Sequence, residues 1–231
     1  MRKSTVSILG MHRSGTSCLA GSLEQCGLHL GEVKTQSPHN LKGNREHPSI
    51  FNLQERLFNK RGNSWDNPPA EIRLAEEERE ELQGIIESFD AAPIWGFKDP
   101  RTLFTLDDWR ELLTDRKVFL LASIRHPLAV AQSLLQRNKM DLSKGLSLWM
   151  KYNEKLLQHC LSSQVELIDF DSPFEKYDER LVALAQKMDL EIPVNRKFYE
   201  GGLINQQVES DKLDASVQRL YDQLLQMCDG C

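Results

Sequence analysis

Val6-Ser7-Ile8-Leu9-Gly10-Met11-His12-Arg13-Ser14-Gly15-Thr16-Ser17 is the stretch on which the reading of the fold turns. A short apolar run stops at Gly10, and a helical pattern of Leu19, Leu23 and Cys26 follows and closes at Gly27. A strand, a glycine-bounded loop and a helix in that order form the opening unit of a phosphate-binding α/β fold.

Outward from this unit, the chain keeps alternating between the two periodicities. Residues 31–46 are irregular, rich in Gly, Ser, Pro, His and Asn, and helical spacing returns from Ile50 through Phe58. After Asn67-Pro68-Pro69 a charged helix is predicted from Ala70 to Phe89, with Glu76-Glu77-Glu78 on a solvated face. Ile94-Trp95-Gly96-Phe97 reads as a strand ending at Lys98-Asp99-Pro100-Arg101, followed by a helix from Leu106 to Leu113. Val118 to Ile124 is the clearest buried strand and ends at Arg125. Helices are predicted after Pro127 and from Leu146 to Leu161, a last strand from Val165 to Phe170, and helices from Phe174 to Met188 and Leu213 to Met227. Strands separated by helices imply a parallel sheet with right-handed crossovers. At 231 residues the chain suits one domain, residues 1–231. The expected architecture is a P-loop-nucleotide-hydrolase-like, three-layer α/β/α fold around a central parallel sheet.

The loop differs from that of a nucleotide triphosphatase at its key position. The spacing from Gly10 to Gly15 is right, but Thr16 stands where the phosphate-bridging lysine belongs. Positive charge sits instead inside the loop, at Arg13, beside the hydroxyls of Ser14, Thr16 and Ser17. Backbone N–H groups and the helix N-terminus still suit one phosphate. A tight turn capped by Ser or Thr, with Gly15 at positive φ, is the alternative reading of the loop by itself. The second motif carries the argument further. Arg125 ends a buried strand, and Ser133 and Arg137 are four residues apart on the following helix, so they share a face. Open α/β sheets bind ligands beyond the carboxyl ends of their strands, where Arg125 lies. Two arginines and a hydroxyl there suit a second phosphate.

Gly10-Met11-His12-Arg13-Ser14-Gly15-Thr16-Ser17 resembles the 5′-phosphosulfate loop of sulfotransferases, and Ser123-Ile124-Arg125-His126-Pro127 with Ser133 resembles their 3′-phosphate motif. The Arg13-Ser14-Gly15-Thr16 form, with Lys98-Asp99-Pro100 and Arg137, looks most like the branch that includes the tyrosylprotein sulfotransferases. The resemblance covers roughly residues 4–26 and 94–140. It implies that the donor is 3′-phosphoadenosine 5′-phosphosulfate, with adenosine 3′,5′-bisphosphate as product, and that the acceptor is a hydroxyl or amine on a small molecule, carbohydrate or peptide. No metal is expected. The implied donor-binding residues are Arg13, Ser14, Gly15, Thr16 and Ser17 for the 5′ side, and Arg125, Ser133 and Arg137 for the 3′-phosphate. Arg13 and Lys98 would meet the sulfuryl group, with a salt bridge to neighbouring Asp99 as the alternative for Lys98, and Arg101 is placed similarly. Family members use either a His or a Glu as base. Glu46, in Asn44-Arg45-Glu46-His47, is the choice here, with His47, Glu32 and His39 in reserve. A first-turn Glu favoured by the helix dipole explains Glu46 equally well.

Bulk properties narrow the field. A net charge of −5 leaves no global basic field for a nucleic-acid backbone, so any bound anion is held by a local set of donors. Five scattered cysteines do not read as a secreted disulfide framework, and Cys228-Asp229-Gly230-Cys231 reads as a frayed tail. The N-terminus is too short and polar for a signal peptide, and no apolar run approaches a membrane span, so a cytoplasmic protein is expected. Two other readings stay open: a P-loop kinase or other phosphotransferase, and a non-catalytic nucleotide-binding module of the same fold. The C-terminal third lacks a clear late basic glycine loop, with Arg196-Lys197 and Gly201-Gly202 as a divergent remnant.

Overall fold

The structure, a computed structural model, describes residues 3–36, 42–195 and 213–229. Four parallel strands form its sheet: β1 (Ser4–Leu9), β2 (Ile94–Lys98), β3 (Lys117–Ile124) and β4 (Val165–Asp169), in the order β2-β1-β3-β4. Register sets Ile8 beside Lys98 and Leu121, and Ile124 beside Asp169. The carboxyl ends of all four strands therefore open on one edge.

Side-chain alternation builds the three layers. Ile8, Phe119, Leu121 and Ile168 face one side, where they pack with Leu19, Leu23, Leu181 and Leu184. Those last four belong to α1 (Thr16–Gln25) and α7 (Phe174–Lys187). Leu120, Ala122, Ile124, Leu167, Trp95 and Phe97 face the other side. That layer holds α2 (Pro48–Asn59), α3 (Glu76–Ser88), α4 (Leu106–Leu112), α5 (Pro127–Asn138), α6 (Leu142–Ser162) and α8 (Ala215–Asp229). Trp95, Trp109 and Trp149 are almost fully buried there. The expected α/β/α architecture with a parallel sheet is the one observed.

Element boundaries differ in three instructive places. The charged helix begins at Glu76 rather than Ala70, because the preceding residues are tied elsewhere. Ile72 N–H donates to Phe104 O (2.8 Å) and Leu74 N–H to Asp108 Oδ2 (3.3 Å), while Glu78 Oε2 accepts from Ala75 N–H (2.9 Å) as the first turn's cap. α6 gains a turn at its start, beginning at Leu142. A 3₁₀ turn over Pro100–Phe104 follows β2, opened by Asp99 accepting from Arg101 N–H at 2.9 Å. Cys228 lies inside α8 and packs against the core, so it is no frayed tail; Cys231 lies outside the described residues.

Candidate functional site

Gly10 and Gly15 shape the loop between β1 and α1. Gly10 has φ +126°, and a Cβ on it would lie 2.5 Å from the carbonyl oxygen of Ser123. Gly15, the residue before α1, has φ +83°, and a Cβ would lie 2.3 Å from the Phe170 ring. Only glycine fits such close approaches at positive φ. Arg13 also sits in the left-handed region at φ 69°, an uncommon state for a residue with a side chain that its surroundings must enforce.

Three tertiary hydrogen bonds do so. Ser123 Oγ donates to Ser14 O (2.5 Å), and Arg125 Nη1 donates to Arg13 O (3.2 Å). Arg13 Nε in turn donates to Ser133 Oγ on α5 at 2.7 Å. The two motifs, about 110 to 120 residues apart in sequence, are thus one interlocked structure. Arg125 is 5% exposed, lies over the Phe170 ring and pairs with Asp171 through Nε (3.3 Å). Trp149 Nε1 holds the Arg125 carbonyl at 3.0 Å. Arg137, one turn beyond Ser133, makes no hydrogen bond or ion pair among the described residues but lies close enough to act electrostatically on Arg13. Burial, with Arg137 and Arg125 nearby, pulls the Arg13 guanidinium down to about 10. Like charges crowded in this way are relieved by an anion between them.

The hydroxyls divide into two kinds. Ser14 Oγ is buried with no hydrogen-bond partner among the described residues, an orphan that a ligand oxygen would satisfy. Ser17 Oγ instead donates to Asn44 O at 3.0 Å, which spends its proton on tying α1 to the segment at residues 42–47. Thr16 is buried at the first residue of α1.

That same segment delivers Glu46. Lys98, the last residue of β2, donates from Nζ to Glu46 Oε1 at 2.7 Å, and both side chains are at most 9% exposed. Asp99, the obvious partner for Lys98 from sequence, is occupied by Arg101, whose Nε and Nη2 hold both its oxygens at 2.9 and 2.7 Å. Arg101 also meets Glu55, Phe51 O and the Phe51 ring, so it is committed to fastening the 3₁₀ turn onto α2. Glu46 is no first-turn residue of α2: the helix starts at Pro48, and His47 is the residue that precedes it. His47 packs edge-on against Phe89 (ring centroids 5.0 Å apart), near Gly31, with exposed Glu32 acting on it electrostatically. Burial lowers its pKa. His39 lies outside the described residues, as do Arg196, Lys197, Gly201 and Gly202.

Two residues of this site had no assignment from sequence. Asp171 is the first, at the β4–α7 turn. His12 is the second: its ring meets Trp65 (5.0 Å) and Tyr152 (5.8 Å) edge-on, and its Nε2 is sealed from solvent with no partner among the described residues. Burial lowers the His12 pKa well below the ordinary imidazole value, and Lys98, Arg101, Arg137 and Arg13 push the same way. Trp149 and Tyr152 are core, whereas Trp65 is partly buried, its carbonyl accepting from Tyr152 Oη at 2.8 Å. Among the described residues no group of three or more His, Cys, Asp or Glu is placed to hold a metal ion, and no helix is long and apolar enough to cross a membrane.

No protein-family model matches the chain, and no curated protein sequence does. Among solved structures it is similar to the sulfotransferase domain from the Synechococcus PCC 7002 olefin synthase, with a TM-score of 0.62 at 14% identity over 96% of this chain and 94% of that one. It is also similar to the sulfotransferase domain from the curacin biosynthetic pathway, with a TM-score of 0.57 at 14% identity over 96% and 98% of the two chains. The chain has the fold of these sulfotransferase domains.

Proposed function

We propose that this chain is a sulfotransferase that takes a sulfuryl group from 3′-phosphoadenosine 5′-phosphosulfate and passes it to a hydroxyl or amine acceptor. One observation carries the reading: Arg13 Nε on Ser133 Oγ and Arg125 Nη1 on Arg13 O join a phosphate loop to a second cationic motif on neighbouring strand ends. A ligand with two separated phosphate groups suits that pairing, and one with a single triphosphate chain does not need it. The orphaned Ser14 Oγ and the crowding of Arg13, Arg125 and Arg137 fit such an anion.

The donor supplies an activated sulfuryl group; the protein supplies charge and position. The loop N–H groups, Ser14 and Arg13 would hold the 5′ side, and Arg125, Ser133 and Arg137 the 3′-phosphate. Lys98, buried at the end of β2, would face the charge that develops during transfer. Glu46, held by Lys98, would take the acceptor proton, and the acceptor hydroxyl or amine would have to reach its carboxylate. The likeness to the tyrosylprotein sulfotransferase branch rests on Arg13-Ser14-Gly15-Thr16 together with Lys98-Asp99-Pro100 and Arg137.

Two measurements test the reading. Calorimetry compares adenosine 3′,5′-bisphosphate with ATP–Mg²⁺; tighter ATP binding would replace sulfuryl transfer with phosphoryl transfer. Transfer of labelled sulfate to a panel of hydroxyl and amine acceptors then separates an enzyme from a binding module. Bisphosphate binding with no transfer to any acceptor favours the module.

A further inference from the structure

Asp171 stands outside both motifs, in the turn after β4, yet it touches the second one twice. Its Oδ1 accepts from Arg125 Nε at 3.3 Å, and its Oδ2 accepts from the backbone N–H of His126 at 2.6 Å. A carboxylate bridging a side chain to the next residue's backbone fixes where the guanidinium plane lies relative to the strand end. The turn that carries Asp171 is itself pinned, since Asp169 accepts from Asp171 N–H (3.0 Å) and from Ser172 Oγ (2.9 Å). Phe170 lies between the two aspartates, its ring under the Arg125 guanidinium (5.3 Å) and against Gly15. The β4–α7 turn thus supports Arg125 from below and from the side, while Arg13 O takes Nη1.

We propose that Asp171 is a positioning residue that aims Arg125 at the 3′-phosphate and so sets the preference for nucleotides that carry one. The inference rests on the reading of this edge as the site of a bisphosphorylated nucleotide. The physical reasoning has two opposing parts. A carboxylate near a cation subtracts from its attraction for an anion, and Asp171 is 28% exposed, so solvent weakens that subtraction. An Arg125 without Asp171 keeps its charge but loses the bond that orients Nε, and planar recognition of a phosphate depends on orientation. At a partly exposed carboxylate, the loss of orientation outweighs the attraction regained.

The test compares adenosine 3′,5′-bisphosphate with adenosine 5′-monophosphate, which lacks only the 3′-phosphate, by calorimetry on the wild type, Asp171→Ala and Asp171→Asn. The wild type prefers the bisphosphate. Asp171→Ala weakens the bisphosphate about tenfold, the worth of one hydrogen bond to a charged group, and leaves the monophosphate unchanged. Asn keeps one acceptor oxygen, so Asp171→Asn recovers part of the preference and guards against an alanine variant that fails to fold. Equal weakening of both nucleotides, an unchanged preference, or tighter bisphosphate binding in either variant overturns the role of Asp171. A wild type that binds the two nucleotides equally overturns instead the reading of the edge as a bisphosphate site.

Discussion

The loop at residues 10–17 and the segment at residues 42–47 meet at the same edge of the sheet, but they are held by different forces. The loop is fixed through its backbone: Ser14 O and Arg13 O are both acceptors for groups at the end of β3, and two glycines let the chain come that close. The segment is fixed mainly through side chains: the buried ion pair of Lys98 with Glu46, the ion pair of Arg45 with Glu24 on α1, and Ser17 Oγ on Asn44 O, beside a backbone bond from Arg45 N–H to Lys34 O (3.2 Å). Backbone fixation tolerates change in side chains and favours binding. A buried ion pair is costly to assemble and costlier to break, so removing either partner has consequences that a surface pair would not.

Substitutions on the two sides should therefore separate. The largest effect is expected at Glu46→Gln, which keeps the side chain's size: sulfate transfer falls about 10²–10⁴-fold, the usual worth of a general base, while bisphosphate affinity stays near wild type. Equal turnover in a transfer assay removes Glu46 from the role. Next comes stability. Lys98→Met leaves Glu46 buried and unpaired, at a cost of about 3–5 kcal/mol in urea unfolding, and the double variant Lys98→Met/Glu46→Gln is less destabilised than Lys98→Met alone. Additive losses would mean that the pair is not coupled.

On the loop side, Gly15→Ala drives a methyl group into the Phe170 ring at a positive φ, and about 1–3 kcal/mol of stability is lost. Combining it with Phe170→Ala returns part of the steric component; no recovery would place the strain elsewhere. The smallest effect is the pH dependence at His12. The unfolded chain binds a proton at this imidazole below about pH 6.5, and the folded chain does not, because its pKa is depressed. Stability is therefore fully present above that pH and is lost as pH falls below it. His12→Gln should flatten the acid limb of the stability curve, leaving the smaller shares of His47, His126 and His159, whose pKa values burial also lowers. An acid limb as steep as that of the wild type would show that the His12 proton does not matter.

Legibility in the sequence followed the range of the interaction. The strand–loop–helix unit, the run ending at Arg125 and the Ser133–Arg137 pair all depend on backbone preferences and spacings of a few residues, and each lies where it was expected. The charged helix begins six residues later than its local pattern predicts, since Ile72 and Leu74 find partners at Phe104 and Asp108 that no local pattern announces. Lys98 and Asp99 looked like natural partners, yet neighbours on a strand point to opposite faces; Lys98 turned to Glu46 and Asp99 to Arg101. No role for His12 is legible in the loop sequence, because only tertiary packing brings Trp65 and Tyr152 to its ring.

By itself, then, the sequence determined the alternation of strands and helices, the glycines that let a loop approach the sheet, and the order of two cationic motifs. These are local, and periodicity or conformational freedom writes them into adjacent residues. The tertiary structure decided which of 34 acidic residues meets which cation: Glu46 for Lys98, Asp171 for Arg125, Asp99 for Arg101. Charge attracts without regard to distance along the chain, so the choice among many candidates belongs to the packing that brings one of them within reach.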